Sequence, residues 1–373
     1  MVKRVLHIVS TMDRGGAETL IMNIYRNIDR KKIQFNFITH TPMKCDFEDE
    51  IIALGGRIFK IPSLGQLGPF SYVRDLMKIM SAHSYEAVHI HTDFQGGFPA
   101  LAAKLSGIKI RICHSHSNSW PRGNQFMDRT ALKIFQTLIK ISSTRFCSCS
   151  SEAAEFLFGK RSFESSKVKI LNNGIDLTQF ENIQENRNEI LRELDIPVGA
   201  KIIGHVGRFS TSKNQTFILK VLKKLLEKDK RVFALLVGDG PLKQQIEEEA
   251  LKLGIVDHIR FLGVRSDIPR LMRHFDVFLF PSLFEGFGIV TIEAQSSGTP
   301  CIMSDMVPRS TDMGLGLVTY LSLDESIDVW GNKLLDAFKV ERPNKQLVFE
   351  AISKNGFSIK STINDWLELY GAS

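Results

Sequence analysis

Two carboxylates and two cations carry the most legible chemistry in this chain. Glu285 and Glu293 stand eight positions apart on either side of Gly286-Phe287-Gly288, directly after the apolar run Val277 to Phe280. Such a run reads as a buried strand, the glycines as a tight turn, and the following stretch as a helix opening around Gly288, Ile289 and Val290. A helix N-terminus reached through glycines presents unpaired N–H groups and the positive end of the dipole, which suits phosphate. A carboxylate on each side can accept the hydroxyls of a sugar or a ribose. Phosphate, ribose and sugar together describe a sugar nucleotide. A second constellation, Gly207 to Lys213, follows another strand-like run and sets Arg208 and Lys213 five positions apart on a short loop. Arg forks two phosphate oxygens and Lys adds a point charge, so this pair points to phosphate.

Three further turns join strand-like runs to helices. Asp13-Arg14-Gly15-Gly16-Ala17-Glu18 departs from G-x-G-x-x-G and has no Walker pattern, which argues against a dinucleotide. Its glycines either admit a diphosphate or acceptor to the backbone or simply make a tight turn. Gly238-Asp239-Gly240-Pro241 reads mainly as turn chemistry. The loop Gly263-Val264-Arg265-Ser266-Asp267 either offers backbone groups to a nucleobase edge or is a plain connection with Asp267 as helix cap. Two H-x-H runs, His89 to His91 and His114 to His116, end strand-like segments, and no third ligand at metal spacing accompanies them. One histidine of each pair is expected to be structural and the other to face the site, with His116 or His114 as a sugar contact or acid–base aid.

The elements that position these groups alternate along the whole chain. Strands are expected at 4–10, 33–39, 57–61, 86–91, 108–114, 144–149 and 168–171, with helices between them. After a polar stretch, 176–200, taken as a linker, a second series places strands at 201–207, 231–237, 258–262, 276–280 and 300–303. Helices at 344–354 and 358–370 close the chain. The pattern is α/β, with two Rossmann-like, doubly wound parallel sheets in tandem, and the cleft between them is the expected binding place.

The 373 residues suffice for two such cores. Residues 1–175 hold 24 Lys and Arg against 14 Asp and Glu, whereas 176–373 hold 24 against 27. The basic first half carries no Lys/Arg-rich tract or aromatic–basic interleaving, so nucleic acid is not an expected partner. An anionic membrane surface or a phosphate-bearing lipid acceptor fits better, with Trp120, Arg122, Phe126, Arg129, Lys133 and Lys140 as a docking stretch; a plain solvated basic face is the bland reading. Five scattered cysteines read as buried reduced thiols, suited to the cytoplasm. No apolar run reaches the ~18 residues of a membrane span.

Taken in order, Asn172-Asn173-Gly174-Ile175-Asp176, Gly207-Arg208 to Lys213, Gly238 to Pro241 and the Glu285–Glu293 pair resemble the retaining GT-B glycosyltransferases of family four (glycosyl transferases group 1). Arg4-Val5-Leu6-His7, Gly15 to Glu18 and Cys113 to His116 look most like its exopolysaccharide-biosynthesis, EpsF-like branch. The resemblance covers essentially the whole chain. It implies an acceptor-side domain over 1–175 to which a C-terminal helix, about 356–373, crosses back, and a nucleotide-sugar domain over 201–355.

Roles follow on matching positions. Arg208 and Lys213 would hold the diphosphate and stabilise the leaving group, Glu293 the ribose, and Glu285 the donor sugar, helped by N–H groups of Phe287, Gly288 and Ile289. Gly16 would approach the diphosphate, Val264 would border the base, and His116 would lie near the transferred sugar. The implied reaction moves a hexose-type sugar from a nucleoside diphosphate, UDP by preference, to a lipid-linked exopolysaccharide or envelope glycan with retention. No D-x-D is present, consistent with a reaction needing no metal and no cofactor. The implied place is the cytoplasm or the inner membrane face. A sugar-nucleotide 2-epimerase of the same fold and a non-catalytic nucleotide- or glycan-binding partner are the rival readings. One stretch departs from the family pattern: Ser304 to Ser310 replaces the usual glycine-rich loop.

Overall fold

The computed structural model describes residues 2–116, 125–160, 167–181 and 186–372, with backbone alone for 125–130. It comprises two compact units, Met1–Ile175 with Gly356–Ser373, and Asp176–Asn355.

In the first unit seven parallel strands, β1 (Lys3–Ile8), β2 (Ile33–Thr39), β3 (Arg57–Lys60), β4 (Ala87–Ile90), β5 (Ile110–Ser115), β6 (Arg145–Ser148) and β7 (Val168–Ile170), lie in the order 3-2-1-4-5-6-7. β1 pairs with β2 on one side and β4 on the other, so the order reverses there, where doubly wound sheets open a crevice at their carboxyl ends. Period-two alternation sorts β1 between two cores. Leu6 and Ile8 join Val88, Ile90 and Leu76, while Val5 and Val9 join Phe35, Phe37 and the C-terminal helix Ile359–Leu369 through Trp366 and Leu369. That helix is joined to the unit by backbone bonds as well: Ile175 N–H donates to Phe357 C=O and Ile359 N–H to Ile175 C=O.

The second unit holds β8 (Lys201–Val206), β9 (Val232–Val237), β10 (Ile259–Gly263), β11 (Val277–Phe280), β12 (Cys301–Ser304) and β13 (Val318–Leu321), all parallel, in the order 10-9-8-11-12-13. Its switch point lies between β8 and β11, the two strands whose loops carry Arg208, Lys213 and Glu285. Every residue of β9 and β11 is buried, as a sheet covered on both faces requires. Gly204 in β8 is a packing necessity: a Cβ there would sit 2.0 Å from the buried Phe275 ring.

The segment 176–200 is not a linker. Its helix Arg187–Glu193 buries Ile190 and Leu191, and Leu194 and Ile196 follow them into the second unit's core. The Arg187 guanidinium ties the segment down by donating to the carbonyls of His274 and Ala200 and pairing with Asp276 at 2.6 Å. The crowd of Asn, Gln and Glu before it hid an apolar face only one and a half turns long. β13 also escaped the sequence reading, because four half-buried residues make too short a period-two signal.

Candidate functional site

The loop after β8 is laced to the loops after both β9 and β11. Gly207 N–H donates to Val237 C=O at 3.0 Å and Phe209 N–H to Asp239 C=O at 2.9 Å, with the Phe209 ring in the core. Gly238 (φ +132°) is what permits this: a Cβ there would meet Gly207 O at 2.1 Å. His205 lies 3.0 Å from Leu279 O through Nδ1, so Nδ1 carries the proton and Nε2 accepts from Gln215 Nε2 at 3.2 Å. Gln215 Nε2 also donates to Arg208 O at 2.9 Å. Burial holds the His205 ring down to about 4, so this brace stays neutral at pH 7. The Arg208 backbone is thereby pinned while its side chain is exposed, and no partner for its guanidinium is found among the described residues.

Lys213 reaches the second loop. Its ammonium pairs with Glu285 Oε1 and lies 4.8 Å from the Phe280 ring centre. Ser282 Oγ donates to the same carboxylate oxygen at 2.8 Å. Asn214, in the left-handed region (φ 55°), donates from Nδ2 to Pro281 O at 3.1 Å, and Leu283 N–H donates to Ser212 O at 2.8 Å. The Glu285 side chain is 7% exposed and Lys213 20%, so this is a sheltered pair with only part of its charge facing solvent.

Phe287 is buried, and Gly288 (φ 87°) caps the helix Ile289–Ser296 without any side-chain hydrogen bond. The Thr291 N–H donates to Gly288 C=O at 3.0 Å, and among the described residues no partner takes the N–H groups of Ile289 and Val290, which are left for a ligand or solvent. Glu293, one turn on, is half-buried, and no hydrogen-bond partner for its carboxylate is found among the described residues. Burial alone raises it to about 7. A carboxylate in that state gains from any hydroxyl that donates to it. Val264 lies exposed on the loop after β10. In the departing stretch, Ser304 Oγ donates to Ser282 O at 2.6 Å and Arg309 stacks 3.6 Å over Tyr320. The structure thus joins Lys213 and Glu285 directly, and sets Arg208, Val264 and the 287–293 turn at carboxyl ends of the same sheet.

In the first unit, a Cβ on Gly16 would meet nothing within 4 Å, so backbone there is open to approach. Glu18 folds back over Gly15 and is raised to about 7, first by burial and then by the charges of Asp13 and Asp93. Asp93 (φ 46°) accepts the His116 N–H at 2.7 Å. Neither Glu18 nor Asp93 stood out as a site residue in the sequence; Asp93 follows the first H-x-H by two positions, which was the available signal.

The histidine expectation needs correcting. Residues two apart on a strand share a face, so both members of each pair point the same way, with ring centroids 4.2 Å apart for His89 and His91 and 4.0 Å for His114 and His116. His114 is fully buried and is no sugar contact, whereas His116 is half-buried at the end of β5. His7 from β1 joins them, so a third ring stands beside each pair, and His7–His89–His91, His89–His114–Cys147 and His91–His114–His116 each bring their ligand atoms within 4.8 Å. All five cysteines are free and buried, with burial pushing Cys149 up to about 12. Trp120 and Arg122 of the docking stretch, and the side chains of Phe126 and Arg129, lie outside the described residues; Lys133 and Lys140 are exposed on the helix Gln125–Ser142. Among the described residues no helix is long and apolar enough to cross a membrane.

Two parallel-sheet units with a cation pair and a glycine-opened helix at one switch point are the marks of a GT-B glycosyltransferase. Residues 186–313 match the family Glycosyl transferases group 1 and residues 14–179 match Glycosyltransferase Family 4. The chain is 44% identical to EpsF of Bacillus subtilis (strain 168), spanning 100% of this chain and 97% of that protein, and it belongs to this glycosyltransferase family. It is 23% identical to the UDP-Gal:alpha-D-GlcNAc-diphosphoundecaprenol alpha-1,3-galactosyltransferase of Escherichia coli, over 95% of this chain and 93% of that one. Anabaena Alr3699/HepE, solved in complex with UDP and glucose, shares the fold with a TM-score of 0.79 at 20% identity, covering 100% of both chains.

Proposed function

We propose that this protein transfers a hexose-type sugar from a UDP-sugar to a lipid-linked exopolysaccharide or envelope glycan, with retention and without a metal. The observation that carries the reading is the Lys213–Glu285 pair, with Arg208 on the same loop and without a partner among the described residues, and the N-terminus of Ile289–Ser296 at the same sheet's carboxyl end. A donor diphosphate here meets two cations and a helix dipole, which offset the charge that grows on the leaving group as the sugar–phosphate bond breaks. Glu293 accepts the ribose hydroxyls, and Glu285 meets the sugar while Lys213 and Ser282 hold its position. The relative acting on a diphosphoundecaprenol substrate supports a lipid-linked acceptor, and the charge excess over residues 1–175 supports work at an anionic membrane face in the cytoplasm.

The test is incubation with UDP-glucose or UDP-galactose and a polyprenyl-diphosphate-linked acceptor, with and without EDTA. The product's anomeric proton coupling is then compared with the donor's. Retained configuration and EDTA-insensitive turnover are expected. An inverted product or loss of turnover in EDTA contradicts the proposal.

A further inference from the structure

The first unit's core contains a feature that the donor site does not use. Five imidazoles, His7, His89, His91, His114 and His116, crowd one face of the sheet beneath Trp366 and Tyr370 of the C-terminal helix region, where the surrounding residues are Phe35, Phe37 and Val5. Burial holds His7 at about 3 and His116 at about 4, and His89, His91 and His114 well below their ordinary value. Each ring is therefore neutral at pH 7 and carries one proton, on one nitrogen or the other.

The hydrogen bonds decide which. His7 Nδ1 lies 3.1 Å from His91 Nε2, and His91 Nδ1 lies 2.9 Å from His116 Nε2. The ring centroids are 5.3 and 5.2 Å apart with planes inclined by only 16° and 29°, so the rings meet through their edges, as an N–H···N bond requires. At the inner end His7 Nε2 is buried, with no hydrogen-bond partner among the described residues. A buried N–H without an acceptor is rarer and costlier than an idle lone pair, and the Phe35 ring beside His7 offers at most a weak N–H···π contact. His7 Nε2 therefore carries no proton. His7 then donates from Nδ1 to His91 Nε2, His91 must hold its own proton on Nδ1 and donate to His116 Nε2, and His116 must keep its proton on Nδ1.

We infer that His7 and His91 are positioning residues that lock His116 as the Nδ1–H tautomer, presenting a fixed hydrogen-bond donor to a substrate hydroxyl. The inference rests on the proposed transfer reaction only for the identity of that hydroxyl. Asp93, accepting the His116 N–H, fixes the backbone from which the ring projects. A second pair runs in a separate line. His114 Nε2 is also a buried nitrogen without a partner among the described residues, so His114 donates from Nδ1 to His89 Nε2 at 3.2 Å, and His89 donates from Nδ1 to the Tyr370 hydroxyl at 2.8 Å. That line leads to the C-terminal helix region and the first leads to His116.

Histidine-selective 15N labelling of the full chain, with long-range 1H–15N correlation, reads each tautomer directly. Nδ1 protonation of His7, His91 and His116 is expected, and an Nε2–H signal for His116 in the wild-type protein overturns the inference. His91→Phe is expected to release His116 into a mixture of its two neutral tautomers, lowering kcat about tenfold with donor KM within about twofold. His91→Asn, whose Nδ2 can donate to His116, is expected to restore both tautomer and kcat. Equal kcat in His91→Phe and the wild type contradicts the positioning role. So does stoichiometric zinc by elemental analysis, because rings that ligate through their lone pairs cannot form the relay. UDP titration of each protein separates the two claims: wild-type protein that binds no UDP refutes the donor reading and leaves the tautomer result standing.

Discussion

Lys213→Ala is expected to cut sugar transfer by about 10²–10³-fold, the scale of losing one preorganised charge at a developing anion. The same change should destabilise the protein, because Glu285 would remain sheltered, at 7% side-chain exposure, with Ser282 as its remaining hydrogen-bond donor. Losing one partner of a fully buried pair costs about 3–5 kcal/mol and of an exposed pair under about 1, so about 2–3 kcal/mol suits a lysine that is 20% exposed. Glu285→Gln keeps an acceptor for Ser282 and removes the stranded charge. The Lys213→Ala, Glu285→Gln double variant should therefore regain most of the stability and none of the activity. Urea unfolding beside a donor-turnover assay checks this. A single variant as stable as the wild type would mean that the pair is solvated and that Lys213 does not organise the loop.

Glu293→Gln should flatten the pH dependence of stability. Burial raises the carboxyl from its ordinary 4.5 to about 7 in the folded protein. A raised carboxyl favours the folded state while protonated, so this contribution is fully present below about 4.5 and is lost as pH rises through about 7. Without nucleotide the wild-type midpoint temperature should fall between pH 5 and 8, and Glu293→Gln should remove a share worth about 2–3 kcal/mol at pH 8. Glu18 shifts in the same direction and should leave a residual slope in the variant. Ribose hydroxyls donating to the ionised carboxylate would stabilise that form. The wild type should therefore gain UDP affinity relative to Glu293→Gln as pH rises. Thermal scans over pH with and without UDP read both effects, and parallel wild-type and variant curves would contradict them.

The elements were legible where periodicity was long and bounded by glycine turns. The strands before Arg208 and Glu285 were, and so was the glycine turn at 286–288, because each joins a short apolar run to a helix. What escaped was short or depended on register. The helix Arg187–Glu193 was masked by polar neighbours, and β13 has four residues. The contact between Lys213 and Glu285 spans 72 positions and depends on two loops after strands that become neighbours only in the sheet. The histidine pairs were visible but their orientation was misjudged, although period-two alternation alone puts both rings of an H-x-H on one face. His7 was the element no local pattern could add: β1 comes to lie beside β4, setting His7 against His89.

Calorimetric titration of UDP into the wild type, Arg208→Ala and the Arg208→Ala, Lys213→Ala double variant tests the donor site most directly. Saturable one-to-one binding is expected for the wild type, weakened by at least about tenfold, or about 1.4 kcal/mol, in Arg208→Ala and further in the double variant. Wild-type affinity retained in the double variant would contradict the assignment of the diphosphate to the Arg208–Lys213 loop.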